Sequence, residues 1–466
     1  MKRRPSGLRC FGSVLAHTTL LLPVLLLATI SGTARAIEPG SPVDWTAFPV
    51  PPTLEPAVEF WTRVFAHYDN DQWVLHDEER LDVVWTVVDG EIPGTKSARR
   101  RVAQEVDRLR KTLRKLSAKG PDPVGLDERE AAVLEIARTL GGPKEWKAAA
   151  ERIRVQAGMK SRFAEGVRRS GLYAPGIRAA LEANGVPAEI AALPHVESSY
   201  NLAANSKVGA AGIWQFMRAT GQQYMAVNAD LDERRDPVRA TAAAARYLRA
   251  SYAEFGNWPL AITSYNHGQN GIRRAILQTG SRDLGVIVQK YRSKAFGFAS
   301  RNFYAEFVAV LRILERGPEL FPGVAPSAPL ECAEVPIRHY LNVKDVIRTY
   351  GVPETEFHTL NPALSTTILR GERRIPAGYT LRLPVPSWAD PDSLYAMIPP
   401  SSLHVAQIRP ASYTVRRGDT LSLIAKRCGT TAKKLATLNK LKNVDQLRVG
   451  QKLVLPSSSQ ELALGR

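Results

Sequence analysis

Between residues 156 and 317 the chain repeatedly places proline at the first turn of a helix. This punctuation constrains the segment to a set of short, separately started helices. Gly185-Val186-Pro187 opens one, Asp236-Pro237 a second with Asp236 as its N-cap, and Asn257-Trp258-Pro259 a third. Proline is tolerated there because the first helical N–H groups have no intrahelical acceptor and its φ is already helical. The helix after Pro237 carries Ala240, Ala243, Ala244, Tyr247, Leu248, Ser251, Tyr252 and Phe255 on one face. Its alanines let a second helix approach closely. Gly268 stands where the helix from Trp258 needs a C-terminal cap. Residues 156–317 are therefore expected to be a mainly α domain.

At 466 residues the chain is too long for a single ordinary core. Residues 37–57 are Pro-rich, and the region 37–155 reads as mostly helical. Within it Val102, Val106, Leu109, Leu113 and Leu116 form one apolar stripe on a basic helix. A Pro-rich break, 317–329, ends the 156–317 block. A weak internal repeat follows. Thr359-Leu360-Asn361 matches Thr437-Leu438-Asn439, Gly351 matches Gly429, and each unit closes on a short strand before Pro384 or Pro456. The units span 335–386 and 412–456, with a Pro/Ser/Ala-rich linker at 387–411.

The N-terminus gives an address. Lys2, Arg3 and Arg4 precede an apolar run, Thr18 to Ile30, too short for a comfortable membrane span. Ala34-Arg35-Ala36 is a small-x-small cleavage site. Residues 1–36 are read as a signal peptide, cut after Ala36. The formal net charge of +18 favours polyanionic surroundings. Export makes nucleic acid an unfavoured partner and the acidic cell envelope a favoured one, by peripheral association. Cys332 and Cys428 lie in different modules, so buried thiols are preferred to a disulfide. No CxxC or HExxH occurs, and neither a metal nor a cofactor is expected.

Glu197 carries the candidate chemistry. It lies seven residues beyond Ile190, on the apolar stripe of the helix from Pro187 that includes Leu193 and Pro194. A carboxyl group there is desolvated, which raises its pKa and suits it to donate a proton to a leaving oxygen. Alone, such a Glu is more often a solvated helix-end residue. Downstream, Gly209-Ala210-Ala211-Gly212-Ile213-Trp214-Gln215-Phe216-Met217 offers close backbone approach, two aromatics for sugar faces or for a core, and the Gln215 amide. Ser264-Tyr265-Asn266 places a phenol where it could hydrogen-bond the Glu197 carboxyl. His195 reads as structural. The local acids Asp232, Glu233 and Asp236 read as helix-start and ion-pair residues, leaving no second carboxylate in the motif segments.

Taken together, Val196-Glu197-Ser198, Tyr200-Asn201, the GAAGIWQFM segment, Asp232-Glu233-Arg234-Arg235-Asp236-Pro237, Phe255-Gly256-Asn257-Trp258 and Tyr265-Asn266 resemble the soluble-lytic-transglycosylase catalytic domain. Ser300 to Phe307 adds to the resemblance. It implies a lysozyme-like α-helical fold and cleavage of the N-acetylmuramic acid to N-acetylglucosamine bond with 1,6-anhydro ends. Glu197 would be the acid and then the base. Ser198, Gln215, Tyr265, Asn266 and Tyr304 would position it or line the cleft. Ser264, His267 and Leu202 depart from the usual family pattern. Residues 412–456 resemble a LysM domain, a βααβ glycan-binding module. Its binding positions would fall at Gly418, Asp419, Thr420 and Leu421, and near Asn443 to Leu447. The unit at 335–386 looks like a degenerate LysM, with Leu341 where Asp419 would align. The implied partner is the peptidoglycan glycan strand, in the periplasm or envelope, with no specific protein partner. A peptidoglycan hydrolase and an inactive wall-binding protein are the alternatives.

Overall fold

The computed structural model describes residues 39–90, 95–408, 412–441, 443 and 447–456. The expected signal peptide lies outside them. The mainly helical class read from the sequence is the class observed, with small antiparallel strand pairs in both C-terminal units.

The main core is built on α13 (Phe298–Glu315), which is buried on nearly every side. Against it pack α1 (Glu55–Ala66), α7 (Leu193–Ser198) and α10 (Trp258–His267), and the same core takes in α5 (Lys160–Gly171), α6 (Ala174–Glu182) and α9 (Pro237–Phe255). Residues 43–66 thus share one core with 163–321. The sequence-read caps form: Asp236 accepts from the N–H groups of Val238 and Arg239 (3.0 Å each), and Asn257 from Leu260 (2.9 Å). The α9 face is the expected one, with Ala240, Ala243, Ala244, Leu248, Ser251 and Phe255 buried.

Residues 73–157 are an insertion between α1 and α5 with its own core. β1 (Trp73–Asp77) pairs antiparallel with both β2 (Val84–Val88) and β3 (Ile153–Ala157), in the order β2-β1-β3. Three helices cover this sheet: α2 (Lys96–Lys119), α3 (Glu128–Arg138) and α4 (Pro143–Ala149). The stripe on α2 is buried at Val102, Leu109, Leu113 and Leu116 and partly buried at Val106. The insertion closes where Met159 N–H donates to Val64 O at 2.8 Å. Gly158 is required there, because a Cβ would stand 2.2 Å from the Asp69 carbonyl oxygen.

Helices α8 (Arg218–Tyr224), α11 (Gln269–Thr279), α12 (Leu284–Lys290) and α14 (Gly317–Leu320) complete this helical block. The next unit pairs β4 (Ala333–Pro336) with β5 (Thr380–Leu383) around α15 (Val343–Tyr350), α16 (Glu354–Leu360) and α17 (Thr366–Leu369), followed by α18 (Pro391–Ala396). The last unit pairs β6 (Ser412–Thr414) with β7 (Lys452–Val454) around α19 (Leu421–Arg427) and α20 (Ala432–Leu438). Cys332 and Cys428 are free thiols. Among the described residues no cluster of His, Cys, Asp and Glu could hold a metal ion, and no helix is long and apolar enough to cross a membrane.

Candidate active site

Glu197 lies in the last turn of α7, and the backbone beyond it is unusual. Ser199 (φ 51°) and Tyr200 (φ 55°) are both left-handed. Their N–H groups donate to the carbonyls of His195 (3.1 Å) and Pro194 (3.2 Å), which ends the helix immediately after the acid. Gln215, at φ 47°, is a third non-glycine residue in this region of backbone space. Each such residue costs on the order of 1–3 kcal/mol and persists only where its surroundings over-determine it.

The surroundings do so through a ring of hydrogen bonds on the 209–217 loop. Ser198 Oγ donates to Ile213 O (2.9 Å), and Tyr265 Oη to Trp214 O (2.9 Å). Gln215 Nε2 donates to Gly212 O (2.8 Å) and Ala204 O (3.3 Å). Arg234 Nη1 reaches Gly209 O (2.8 Å) and Phe216 O (2.9 Å). Trp214 Nε1 donates to Thr241 Oγ1 at 2.8 Å. Gly212 (φ 76°) admits no side chain, since a Cβ would stand 1.8 Å from the Arg234 carbonyl oxygen. Every loop carbonyl in this set faces a built donor, so the loop is held from several sides.

The electrostatics are those of a proton donor. Burial, and secondarily the nearby Glu306 carboxyl on α13, push Glu197 up to about 8. Burial also pushes Glu306 up to about 8. Neither carboxyl has a hydrogen-bond or ion-pair partner among the described residues. Tyr265 is held well above the ordinary tyrosine range, by burial first and then by Glu197. Both acids therefore keep their protons near neutrality, and Tyr265 stays a neutral phenol.

Several side chains take places other than those expected. Tyr265 is beside Glu197, but its single proton goes to the Trp214 carbonyl and not to the carboxyl group. Ser198 staples α7 to the loop. Tyr304 is 1% exposed, and its hydroxyl donates to Pro49 O (3.0 Å), so it ties the N-terminal segment to α13 and lines no cleft. Asn266 is exposed and accepts from Ser300 Oγ (2.8 Å). Trp214 and Phe216 are core residues. His195 is buried, stacked on Phe163 and held down to about 3 by burial. Asp232 pairs with Arg234 (2.8 Å), and Glu233 Oε2 accepts from Ala226 N–H (2.7 Å). Glu306 is the residue that local motif reading missed, although it stands inside the Ser300 to Phe307 segment.

In the last unit an open groove of about 680 Å³ runs between Thr420-Leu421 and Lys440-Leu441, with Leu447 at one side. Gly418 (φ 85°) makes the turn and Thr420 N-caps α19. Leu421 is core. Asp419 is used internally, accepting from Tyr413 Oη (2.8 Å), Arg416 N–H (2.8 Å) and Arg427 Nη1 (2.9 Å). Asp419 also lines the groove, where its carboxylate is already engaged in shaping the turn. Of the second loop, residues 444–446 lie outside the described set.

The family described as Transglycosylase SLT domain matches residues 175–286, and LysM domain matches 413–456. The chain is similar to membrane-bound lytic murein transglycosylase D of Escherichia coli strain K12, at 30% identity over 292 residues. That match covers 60% of this chain and 62% of the relative's own length. It is also similar to a putative tributyltin chloride resistance protein of Alteromonas sp., 25% identical over 33% of this chain and 76% of that one. Among solved structures, the 70 kDa soluble lytic transglycosylase of Escherichia coli matches 48% of this chain and 45% of its own, at 16% identity and a TM-score of 0.28. The SLT match ends before α13, so Glu306 lies outside it.

Proposed function

We propose that the protein is a peptidoglycan lytic transglycosylase that cleaves the bond from N-acetylmuramic acid to N-acetylglucosamine. The observation that carries this reading is Glu197, a half-buried carboxyl group pushed up to about 8 with no cation beside it among the described residues. Such a group is a proton donor at neutral pH. Glu197 gives its proton to the glycosidic oxygen as the C1–O bond breaks. The resulting carboxylate then takes the proton of the muramyl C6 hydroxyl, whose oxygen bonds to C1. No water is consumed, and Glu197 returns to its starting state.

A hydrolase is the second reading, and the Glu306 carboxyl is what favours it, because two-acid glycosidases need a second carboxylate. Yet burial keeps Glu306 protonated near neutrality. A neutral acid neither deprotonates water nor attacks C1, so the lyase is preferred. The LysM groove is proposed to hold the enzyme on glycan strands through the backbone and side chains around Gly418 to Leu421. Even weak binding there raises local concentration on an insoluble polymer. Export to the periplasm, after removal of residues 1–36, completes the reading. Digestion of purified sacculi followed by mass spectrometry tests it. Products lacking one water at the muramyl end are expected, and Glu197→Gln should give none. Reducing ends would establish hydrolysis instead.

A further inference from the structure

The unit at 335–386 has the outline of a second glycan module, but its edge is already taken. In the LysM unit the open groove is lined in part by Lys440 and Leu441, just after Asn439. The matching stretch of the earlier unit follows Asn361. There the catalytic block's own segment, Ala226–Asp236, is laid against it. Asp232 N–H donates to Ala363 O (2.8 Å), Ser365 N–H donates to Asp230 O (2.9 Å), and Leu231 bridges to Leu364. Leu231 is buried within the unit's hydrophobic core, although it belongs to the catalytic block. The Asp230 carboxylate accepts from Arg373 Nη2 (3.0 Å) and Gln407 Nε2 (3.2 Å), and Arg373 Nε also bonds it.

A second tie lies deeper. Arg382 Nη1 donates to Asp236 Oδ2 at 2.5 Å, with Arg382 9% and Asp236 3% exposed. Buried Asn361 fixes the Arg382 backbone from both sides, by Nδ2 to Arg382 O (2.8 Å) and by Arg382 N–H to Oδ1 (3.0 Å). Removing either partner of such a pair would leave a buried charge uncompensated.

The gripped segment leads directly to the candidate active site. Arg234 forks onto Asp232 with Nε and Nη2, at 2.8 Å each, while its Nη1 holds Gly209 O and Phe216 O. Those carbonyls bracket the loop whose Ile213 O receives Ser198 beside Glu197. We infer that the 335–386 unit is a clamp, not a glycan-binding module, and that it sets the active-site loop through Asp230-Leu231-Asp232 and the positioning residue Arg234. This rests on the transglycosylase reading only for its effect on rate.

The full chain carrying Asp230→Ala, Leu231→Ala and Arg373→Ala tests it. The triple change removes the side-chain grip, leaves no buried charge unpaired and spares Arg234 and Glu197. Amide exchange at 209–217 should rise at least tenfold. The kcat on a soluble glycan fragment should fall about tenfold, with KM moved less than twofold, the pH profile unchanged and sacculus binding kept. Arg373→Ala alone, at the partly exposed end of the grip, should move exchange and kcat the same way by a smaller factor, and it decides the matter should the triple variant not fold. Unchanged exchange at 209–217 together with unchanged kcat overturns the inference. So does loss of sacculus binding at full kcat, which would make the unit a glycan binder. The exchange readout needs no chemistry, so it stands apart from any failure of the Glu197 assignment.

Discussion

Replacing Glu197 with Gln should stabilise the protein, and by an amount that grows with pH. In the unfolded chain the carboxyl group titrates near 4.5, and in the folded protein near 8. Below pH 4.5 both states hold the proton and the group makes no difference. Between 4.5 and 8 the unfolded chain releases it while the native state keeps it, so native stability falls as pH rises through that window. Above 8 the penalty is complete. The gap between the two values corresponds to about 5 kcal/mol as an upper bound, and water at the partly exposed carboxyl reduces this to about 2–3 kcal/mol. Gln is nearly isosteric and never charges, so it escapes the penalty. Urea melts of wild type and Glu197→Gln at pH 4, 7 and 9, at fixed ionic strength, read the difference directly. The variant should gain little at pH 4 and about 2–3 kcal/mol at pH 9. A difference that does not change with pH would refute the reasoning, because it would mean that the native carboxyl titrates like an unfolded one.

Three further outcomes follow from the same geometry. Glu306→Gln removes the like-charge neighbour of Glu197, with neutral Tyr265 the other titratable group facing it. The alkaline limb of kcat/KM should move to lower pH with the product unchanged. Gly212→Ala puts a Cβ into the Arg234 carbonyl at a positive φ, and should lower stability by about 2–4 kcal/mol in denaturant melts. Deleting residues 412–466 should weaken sacculus binding in pull-down at least tenfold while leaving cleavage of short soluble fragments within about twofold.

Local signals were legible where a residue's role is settled by its immediate neighbours in sequence. The α2 stripe, the Asp236 and Asn257 caps, the Gly268 cap and the burial of Ile190, Leu193 and Pro194 are all of this kind. The three-stranded sheet was not legible. β1 is buried at Val74 to Asp77 without alternation, because helices and neighbouring strands enclose it, so the period-2 signal is lost. The hydroxyls of Ser198, Tyr265 and Tyr304 were recognisable as donors, but their acceptors are backbone carbonyls that only the fold brings near. Glu306 was hidden for a related reason. Nothing in the residues beside it distinguishes it, and its meaning comes from α13 packing against α7. Leu231 likewise gains its buried place only from the later unit, whose core it enters.

The account depends on Glu197 holding its proton at neutral pH. A carbon-13 NMR titration of labelled glutamate carboxyl carbons, with the Glu197 signal identified by its loss in Glu197→Gln, measures this most directly. A midpoint near 8 is expected, and a midpoint near 4.5 would contradict the account.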